Sequence, residues 1–230
     1  RTLLEIQVDG IFASYVKETS DFSHYLEVID RGVPLILFDR MQNQFETDCV
    51  IIDDFLGAYR ATEHLIEQGC KRIVHFEGTS NLSIYRDRRR GYEQALSKHN
   101  IPIDPTLIIS SDLSVKSGQS IAKQLLAMDE LPDGIFSASD YAAIGAMNVL
   151  KSEGIAIPEQ IAIVGFSNES FTSLVSPSLT SVNQKSKQIG ELTAKLFLEK
   201  AKSKSGSELH AKKMLTPELI IRESSNRLNQ

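Results

Sequence analysis

Four arginines, Arg86, Arg88, Arg89 and Arg90, gather around Asp87, and they are the densest chemistry in the chain. A guanidinium presents a planar fork of N–H donors that grips hydroxyls, carboxylates or phosphates through two parallel bonds. Before this run come Gly78, Thr79, Ser80, Asn81 and Ser83, all turn formers. After it, Gly91-Tyr92-Glu93-Gln94-Ala95-Leu96 reads as helix. Upstream stands Ile73-Val74-His75-Phe76, bounded by Arg72 and Gly78, which reads as a short buried strand. A strand end, a polar loop and an arginine-rich helix start make one corner of an α/β unit, where ligands bind in open α/β sheets. Polar residues follow other apolar runs in the same way. Asp39 follows Phe38, Asp112 and Leu113 follow Ile109, Ser139 and Asp140 follow Phe136, and Ser167 and Asn168 follow Phe166. In a parallel sheet these ends lie on one side and converge. Acceptors set beside arginines suit a polyhydroxylated ligand, because every hydroxyl needs a partner.

Each of these residues also has a plainer role. Asp140 sits where a helix N-cap belongs, and capping is compatible with ligand contact. Asp53 or Asp54 is expected to cap a helix. At most two of the four arginines can point inward, leaving the others as a solvated face. Leu113 is either a contact surface or core. His75 is expected to be a satisfied strand histidine.

The elements that must hold these groups alternate along the chain. Val8-Asp9-Gly10-Ile11-Phe12-Ala13 is a strand, and Phe22, Tyr25, Leu26 and Ile29 make a helical face. Leu35-Ile36-Leu37-Phe38 and Val50-Ile51-Ile52 are strands. Ala58, Ala61 and Leu65 mark a helix stopped by Gly69. The arginine-rich helix runs to about Asn100, and Pro102 and Pro105 flank a turn before the strand Leu107-Ile108-Ile109. Ile121, Leu125 and Met128 stripe a helix. Ile135-Phe136 is a strand, and Ile144, Met147 and Leu150 lie on a helix closed by Gly154. Ile161-Ala162-Ile163-Val164-Gly165-Phe166 and Leu179-Thr180-Ser181-Val182 are strands, and Ile189, Leu192 and Leu196 form the last helical face. Ser203-Lys204-Ser205-Gly206-Ser207 reads as a flexible surface loop. Met214-Leu215-Thr216-Pro217 and Glu218-Leu219-Ile220-Ile221-Arg222 finish the chain as strands. Strands without polar alternation are buried on both faces, so the class is α/β with a parallel sheet and helices on both sides.

At 230 residues the chain is one large domain or two small ones, and 41% hydrophobic with 24% charged residues describes a globular protein. A net charge of -5 argues against phosphate-backbone binding by this stretch itself. No apolar run approaches the roughly 18 residues of a membrane span. Arg1-Thr2-Leu3-Leu4-Glu5-Ile6 has no signal-peptide architecture and reads as the middle of a helix, so a longer parent chain is expected. Cys49 and Cys70 stand alone, as inert thiols do in a reducing cytoplasm. His24, His64, His75, His99 and His210 show no metal-ligand spacing, and no cofactor is implied. Catalytic motifs fail on spacing. Gly165-Phe166-Ser167-Asn168-Glu169 begins like a nucleophile elbow, but Glu169 stands where the second glycine belongs. No phosphate-cradling glycine motif is present. Ser120-Ile121-Ala122-Lys123 lacks its companion motifs. The chain reads as a binding module, not an enzyme.

An ordered set of segments carries a family resemblance. It comprises Val8-Asp9-Gly10-Ile11, Gly32-Val33-Pro34 through Phe38-Asp39-Arg40, Gly69-Cys70-Lys71-Arg72-Ile73, Arg88-Arg89-Arg90-Gly91-Tyr92, Phe136-Ser137-Ala138-Ser139-Asp140, Ile157-Pro158 through Val164-Gly165-Phe166, and Pro177-Ser178-Leu179-Thr180-Ser181-Val182. Over nearly its whole length the chain resembles the effector-binding domain of LacI/GalR-family transcription regulators. The resemblance implies a type I periplasmic-binding-protein-like fold, two doubly wound parallel-sheet subdomains joined by three crossovers. The crossovers are expected near Asp53, Val182-Asn183 and Thr216-Pro217. That divides the chain into 1–52 with 184–216, an incomplete N-terminal-type subdomain, and 53–183 with 217–230. It implies a homodimer in the cytoplasm, a small-molecule effector in the cleft between the subdomains, and operator DNA read by a helix-turn-helix some hundred residues upstream.

Matched motif by motif, Arg88, three before Gly91, resembles the arginine that hydrogen-bonds the effector, and Asp39 the acidic acceptor after the second strand. Leu113 stands where an aromatic platform often stands. Ser139 lies on the pocket loop beside Asp140. Ser167 replaces the aspartate of the family's usual pattern, which removes a charged acceptor. With the arginines close by, the effector is expected to be a sugar or sugar derivative, including anionic ones such as a sugar acid or phosphorylated sugar. Arg88→Ala is expected to weaken effector binding with little effect on the fold. The rival readings are a solute-binding protein of an uptake transporter, which needs a signal peptide upstream, and an enzyme using the same cleft, which needs a reactive group.

Overall fold

The computed structural model describes residues 2–16, 19, 21–41, 44–79, 82–202 and 210–227. The expected loop at 203–207, and Ser80 and Asn81 of the expected turn, lie outside the described residues. The chain divides into two compact units, Arg1–Asp53 with Lys185–Thr216 and Asp54–Gln184 with Pro217–Gln230, so it passes from one to the other at three places.

In unit 1, α1 (Thr2–Glu5) leads to β1 (Ile11–Ala13), α2 (Ser23–Asp30), β2 (Leu35–Phe38) and β3 (Asp48–Ile52). The expected strand from Val8 is shorter, because Val8 is held in a turn by its N–H to the Leu3 carbonyl. A side chain at Gly10 would lie 2.4 Å from the Phe197 ring. On α2 the buried residue is Val28, while Leu26 points outward.

Unit 2 follows with α3 (Asp54–Glu67), β4 (Ile73–Gly78), α4 (Ser83–Lys98), β5 (Ile108–Ser111), α5 (Val115–Leu126), β6 (Gly134–Ser137), α6 (Asp140–Ser152), β7 (Ala162–Ser167) and β8 (Thr180–Asn183). The chain returns to unit 1 for α7 (Ser186–Lys202) and β9 (Lys212–Leu215), and ends in unit 2 with β10 (Glu218–Ile220).

The sheet of unit 1 has the order β1-β2-β3-β9 and is parallel throughout. Leu35, Leu37 and Cys49 pack with Leu4 and Val28 in its core. The sheet of unit 2 runs β10-β8-β7-β6-β4-β5. It is parallel except at β10, which pairs antiparallel with β8. The sheet is thus mostly parallel, with β10 as its antiparallel edge strand.

Alternate residues of the central strands face opposite helix layers. Val74, Phe76, Ile135 and Ile163 meet α5 and α6 through Ile121, Leu125, Ala142 and Met147. On the other face, His75 stacks against Tyr92 of α4, and Gly57 of α3 approaches Phe166 and Val182. These unbroken apolar strands are covered on both sides, as parallel strands must be.

Candidate functional site

The order of the unit 2 sheet creates a switch point. From β4 the chain moves outward to β5, then crosses back to place β6 on the other side of β4. Loops leaving β4 and β6 therefore diverge, the arrangement at which open α/β sheets bind ligands outside their strands' carboxyl ends. Arg88 reaches this place from α4. Its position follows from helical spacing, since Ile84, Arg88, Gly91, Tyr92 and Ala95 form the buried stripe of the helix. Gly91 lets α4 lie against α3, because a Cβ there would sit 2.3 Å from the Phe55 carbonyl oxygen.

Arg88 is 4% exposed. Its Nε donates to Asp54 Oδ1 at 2.8 Å, its Nη2 approaches the same oxygen at 2.7 Å, and its Nη1 donates to the Ala138 carbonyl at 2.7 Å. Its Cζ lies 3.6 Å from the centroid of the Phe166 ring, a close cation–π contact. One side chain thus joins the start of α3 to the ends of β6 and β7. A guanidinium has five N–H groups, and these bonds leave one on Nη1 and one on Nη2. The expectation that Arg88→Ala would spare the fold needs correcting, since Arg88 balances a buried carboxylate.

The neighbouring arginines behave differently. Arg89 pairs with Glu93 at 2.8 Å and lies 3.5 Å from Glu77, and Arg90 pairs with Asp87 at 3.1 Å. Arg86 is exposed on the first turn of α4.

At the end of β7 the backbone turns sharply. Ser167 has φ 126 and Asn168 has φ 55, values that non-glycine residues adopt only when held there. Asp140 supplies much of that hold. It accepts from the Glu169 N–H at 2.9 Å and from Ser181 Oγ at 2.6 Å, while Ser181 Oγ accepts from the Asn168 N–H at 2.9 Å. Arg222 donates to Asn168 Oδ1 at 2.8 Å and to the Leu179 carbonyl at 2.6 Å. Burial pushes the Asp140 carboxyl above the usual carboxylate range, against the pull of these donors. Gly165 makes room for it, as a Cβ there would lie 2.2 Å from Asp140 Oδ1. Ser167 Oγ accepts from Gln184 Nε2 at 2.5 Å.

Asp140 is the first residue of α6, and the N-cap is Ser139, whose hydroxyl accepts from the Tyr141 N–H at 3.2 Å. Leu113 has φ 61, is 5% exposed and packs in the core with Phe76 and Ile121. Asp39 belongs to unit 1, at the carboxyl end of β2, with φ 66 and its carboxylate 3.5 Å from Arg40 Nε. Within unit 2 the sheet edge brings together Arg88, Ser139, Asp140 and Ser167, whereas Leu113 is turned into the core. Sequence reasoning missed Asp54 as the partner of Arg88, and Ser181 and Arg222 as supports of the β7 turn. Nothing local links them, since Asp54 and Arg88 are 34 residues apart.

His75 lies midway along β4, fully buried between the rings of Tyr92 and Phe136. Its Nδ1 lies 3.2 Å from the Phe136 carbonyl, but Nε2 has no partner, so the expected satisfied histidine is satisfied at one nitrogen. Burial pulls its pKa down to about 3. Among the described residues no group of three His, Cys, Asp or Glu side chains is placed to hold a metal ion. Nor is any described helix long and apolar enough to cross a membrane.

A family model described as the periplasmic binding protein-like domain matches residues 62–225. The HTH-type transcriptional regulator DegA of Bacillus subtilis is 31% identical over 229 residues, spanning 99% of this chain and 67% of the relative. The chain spans about two thirds of the length of the curated relatives it matches. Among solved structures, a transcriptional regulator CelR–cellobiose complex superposes with a TM-score of 0.86 at 28% identity, covering 97% of this chain and 68% of that one. A LacI family regulator from Enterococcus faecium with bound ribose gives 0.85 at 27% identity, covering 99% and 83%. These relatives are named as transcription regulators, not as enzymes or transport proteins. The chain therefore belongs to the LacI family of transcriptional regulators, and its fold is that family's periplasmic binding protein-like domain.

Proposed function

We propose that this chain is the effector-sensing domain of a cytoplasmic DNA-binding transcription regulator, taking a small sugar-like ligand. The observation that carries the reading is Arg88, a guanidinium fixed at the switch point of the unit 2 sheet with two N–H groups beyond its anchoring bonds. Guanidinium donors held on one rigid fork suit the hydroxyls of a sugar or the oxygens of an acid. The structures with cellobiose and with ribose supply the ligand class for relatives of the same fold. Ser167 and Ser139 add hydroxyls at the same edge, Asp140 holds the β7 turn in place, and Leu113 backs the edge from the core; within unit 1, Asp39 is an acceptor at the carboxyl end of β2. The charge of Arg88 is already balanced by Asp54, and Arg89 and Arg90 have their own carboxylates. A neutral polyol is therefore favoured over a sugar acid or sugar phosphate.

Ligand binding shifts a conformational equilibrium by the difference in its contacts between two states. A coupling of roughly 1–3 kcal/mol to operator binding is typical of such linkage. The operator would be read by a helix-turn-helix in the parent chain. A homodimer fits the apolar surface that unit 2 exposes. Tyr141 and Phe171 pair edge to face with centroids 5.1 Å apart, and Leu174 beside them is 82% exposed.

Calorimetric titration with D-ribose, cellobiose, D-ribose 5-phosphate and gluconate tests the reading. The neutral sugars are expected to bind more tightly than the anions, and Arg88→Gln to weaken binding at least about tenfold while circular dichroism shows a folded chain. Binding of none of the four, or undiminished binding by folded Arg88→Gln, rejects it.

A further inference from the structure

The three places where the chain passes between units share a feature. At each, the residue of unit 2 that borders the crossing takes part in a side-chain hydrogen bond to the body of unit 2. Asp54, the first residue after the first crossing, accepts from Arg88 at 2.8 Å. Gln184, the last before the second, donates to Ser167 Oγ at 2.5 Å. Pro217, the first after the third, accepts at its carbonyl from Arg60 Nη1 at 2.8 Å.

The first two anchors involve Arg88 and Ser167, both at the candidate ligand edge. We infer that Asp54 and Gln184 are positioning residues: each ties a ligand-facing side chain to a crossover, so the atoms that meet the ligand also fix where the chain leaves unit 2. This rests on the proposed function for the ligand, while the anchors themselves belong to the unliganded protein. Chemistry explains the pairing. Arg88 on the buried stripe of α4 needs a counter-charge, and Asp54 at 7% exposure provides it. Ser167, at φ 126, needs its side chain fixed if its hydroxyl is to present one geometry, and Gln184 supplies the donor. The strand β8 ends at Asn183, and directly after Gln184 the backbone turns, with Lys185 at φ 56. A ligand hydroxyl that donates to Ser167 Oγ shares that oxygen with Gln184. A ligand acceptor on Arg88 polarises the fork that holds Asp54. Either contact alters an anchor without touching the crossover itself. Arg60 is the control, an anchor of the same kind on the third crossing that is not among the candidate ligand residues.

Amide hydrogen exchange on the unliganded 230-residue chain decides the matter. Gln184→Met keeps the size of the side chain and removes the donor. It is expected to speed exchange across 182–187 about fivefold, the equivalent of one hydrogen bond, and to leave 218–220 at the wild-type rate. Gln184→Glu should restore the wild-type rate, because the Ser167 hydroxyl can turn and donate to the carboxylate. Arg60→Met should give the mirror image, fast at 218–220 and unchanged at 182–187. Identical rates in Gln184→Met and wild type overturn the inference. So does failure of Gln184→Glu to restore them, or a uniform acceleration that reaches β1 and β2, which is general destabilisation. A calorimetric arm with D-ribose and cellobiose then reads the consequence, weaker binding by Gln184→Met than by Gln184→Glu. If neither sugar binds the wild type, the proposed function suffers while the exchange result still stands.

Discussion

Opposite ends of the unit 2 sheet each carry a half-hidden or hidden arginine, and the two use their donors differently. Arg227 lies at the amino end. It donates to the carbonyls of Pro158 at 2.6 Å, Asp133 at 2.7 Å and Gln160 at 3.1 Å, and to Cys70 Sγ at 3.3 Å. Around it the Asp133 carboxylate accepts from the Lys71 and Arg72 N–H groups, so the chain segments entering β4, β6 and β7 are stapled together. The backbone on that side has its own unusual geometry, a cis peptide bond at Ile157–Pro158 and Asn100 at φ 57. At the carboxyl end, Arg88 holds one carboxylate and one carbonyl and keeps two N–H groups over, and the backbone around it is strained at Leu113, Ser167 and Asn168. The amino end satisfies its arginine with its own carbonyls, whereas the carboxyl end leaves arginine donors over, which fits the proposed ligand site.

The largest test of that contrast is the Arg88–Asp54 pair. Removing one member of a buried ion pair strands the other, at a cost of about 3 kcal/mol. Arg88→Met is expected to lose about that much in urea unfolding, and Arg88→Met with Asp54→Leu to regain most of it. Ligand binding should be lost in both. If the double variant binds D-ribose or cellobiose like wild type, Arg88 belongs with Arg227 as a staple.

Between the two ends the sheet interior is fully buried, and His75 reports on it. Its pKa of about 3 in the folded chain lies below the ordinary value of 6.5, so the unfolded chain takes up a proton first as pH falls. The neutral, buried form contributes its full stability above about pH 6.5, and that contribution is lost progressively down to about pH 3. At pH 5 the loss is about 2 kcal/mol. His75→Phe keeps the stack with Tyr92 and Phe136 and should lose much less stability between pH 7 and pH 5 than wild type does. Equal losses in the two proteins would place water at the middle of β4.

How much of this was legible beforehand depends on the range of the interaction. The runs Leu35-Ile36-Leu37-Phe38 and Ile73-Val74-His75-Phe76 announced β2 and β4, because strands buried on both faces have no polar interruptions. The antiparallel pairing of β10 was not visible, since a three-residue edge strand carries no directional signal. Arg88 stood out by its place three before Gly91 in the family resemblance, while its inward turn between Ile84 and Tyr92 shows only in the folded helix. Its partner Asp54 was not readable, because that pairing depends on the close approach of α3 to α4 at Gly91. Ser167, Ser139 and Asp140 could be placed at one edge from the sequence. That Asp140 serves the β7 turn while Ser139 caps α6 required the coordinates.

A smaller effect tests the staple. Arg227→Met removes several bonds to carbonyls, but the side chain is half-buried and water can replace part of them, so a loss of about 1–2 kcal/mol is expected. Calorimetry should find sugar binding unchanged. Weakened binding would mean that the amino end communicates with the carboxyl end, and the contrast between the two would fail as a division of labour.

The smallest expected effect concerns Arg90, two residues from Arg88 on the same helix. Residues two apart on a helix face away from each other. Arg90 is 63% exposed on its side chain and pairs with Asp87, itself 33% exposed. Exposed pairs gain little, because water screens both charges and the long side chain must be held still. Arg90→Ala should therefore change unfolding stability by less than about 0.5 kcal/mol and leave sugar affinity unaltered. The run of arginines would then contain two classes of residue, one buried and functional, the other solvated. A loss of affinity in Arg90→Ala would instead mean that the charge of the whole run is being read. It would also restore the anionic sugar derivative as the preferred ligand class, in spite of the carboxylate already set against each of Arg88, Arg89 and Arg90.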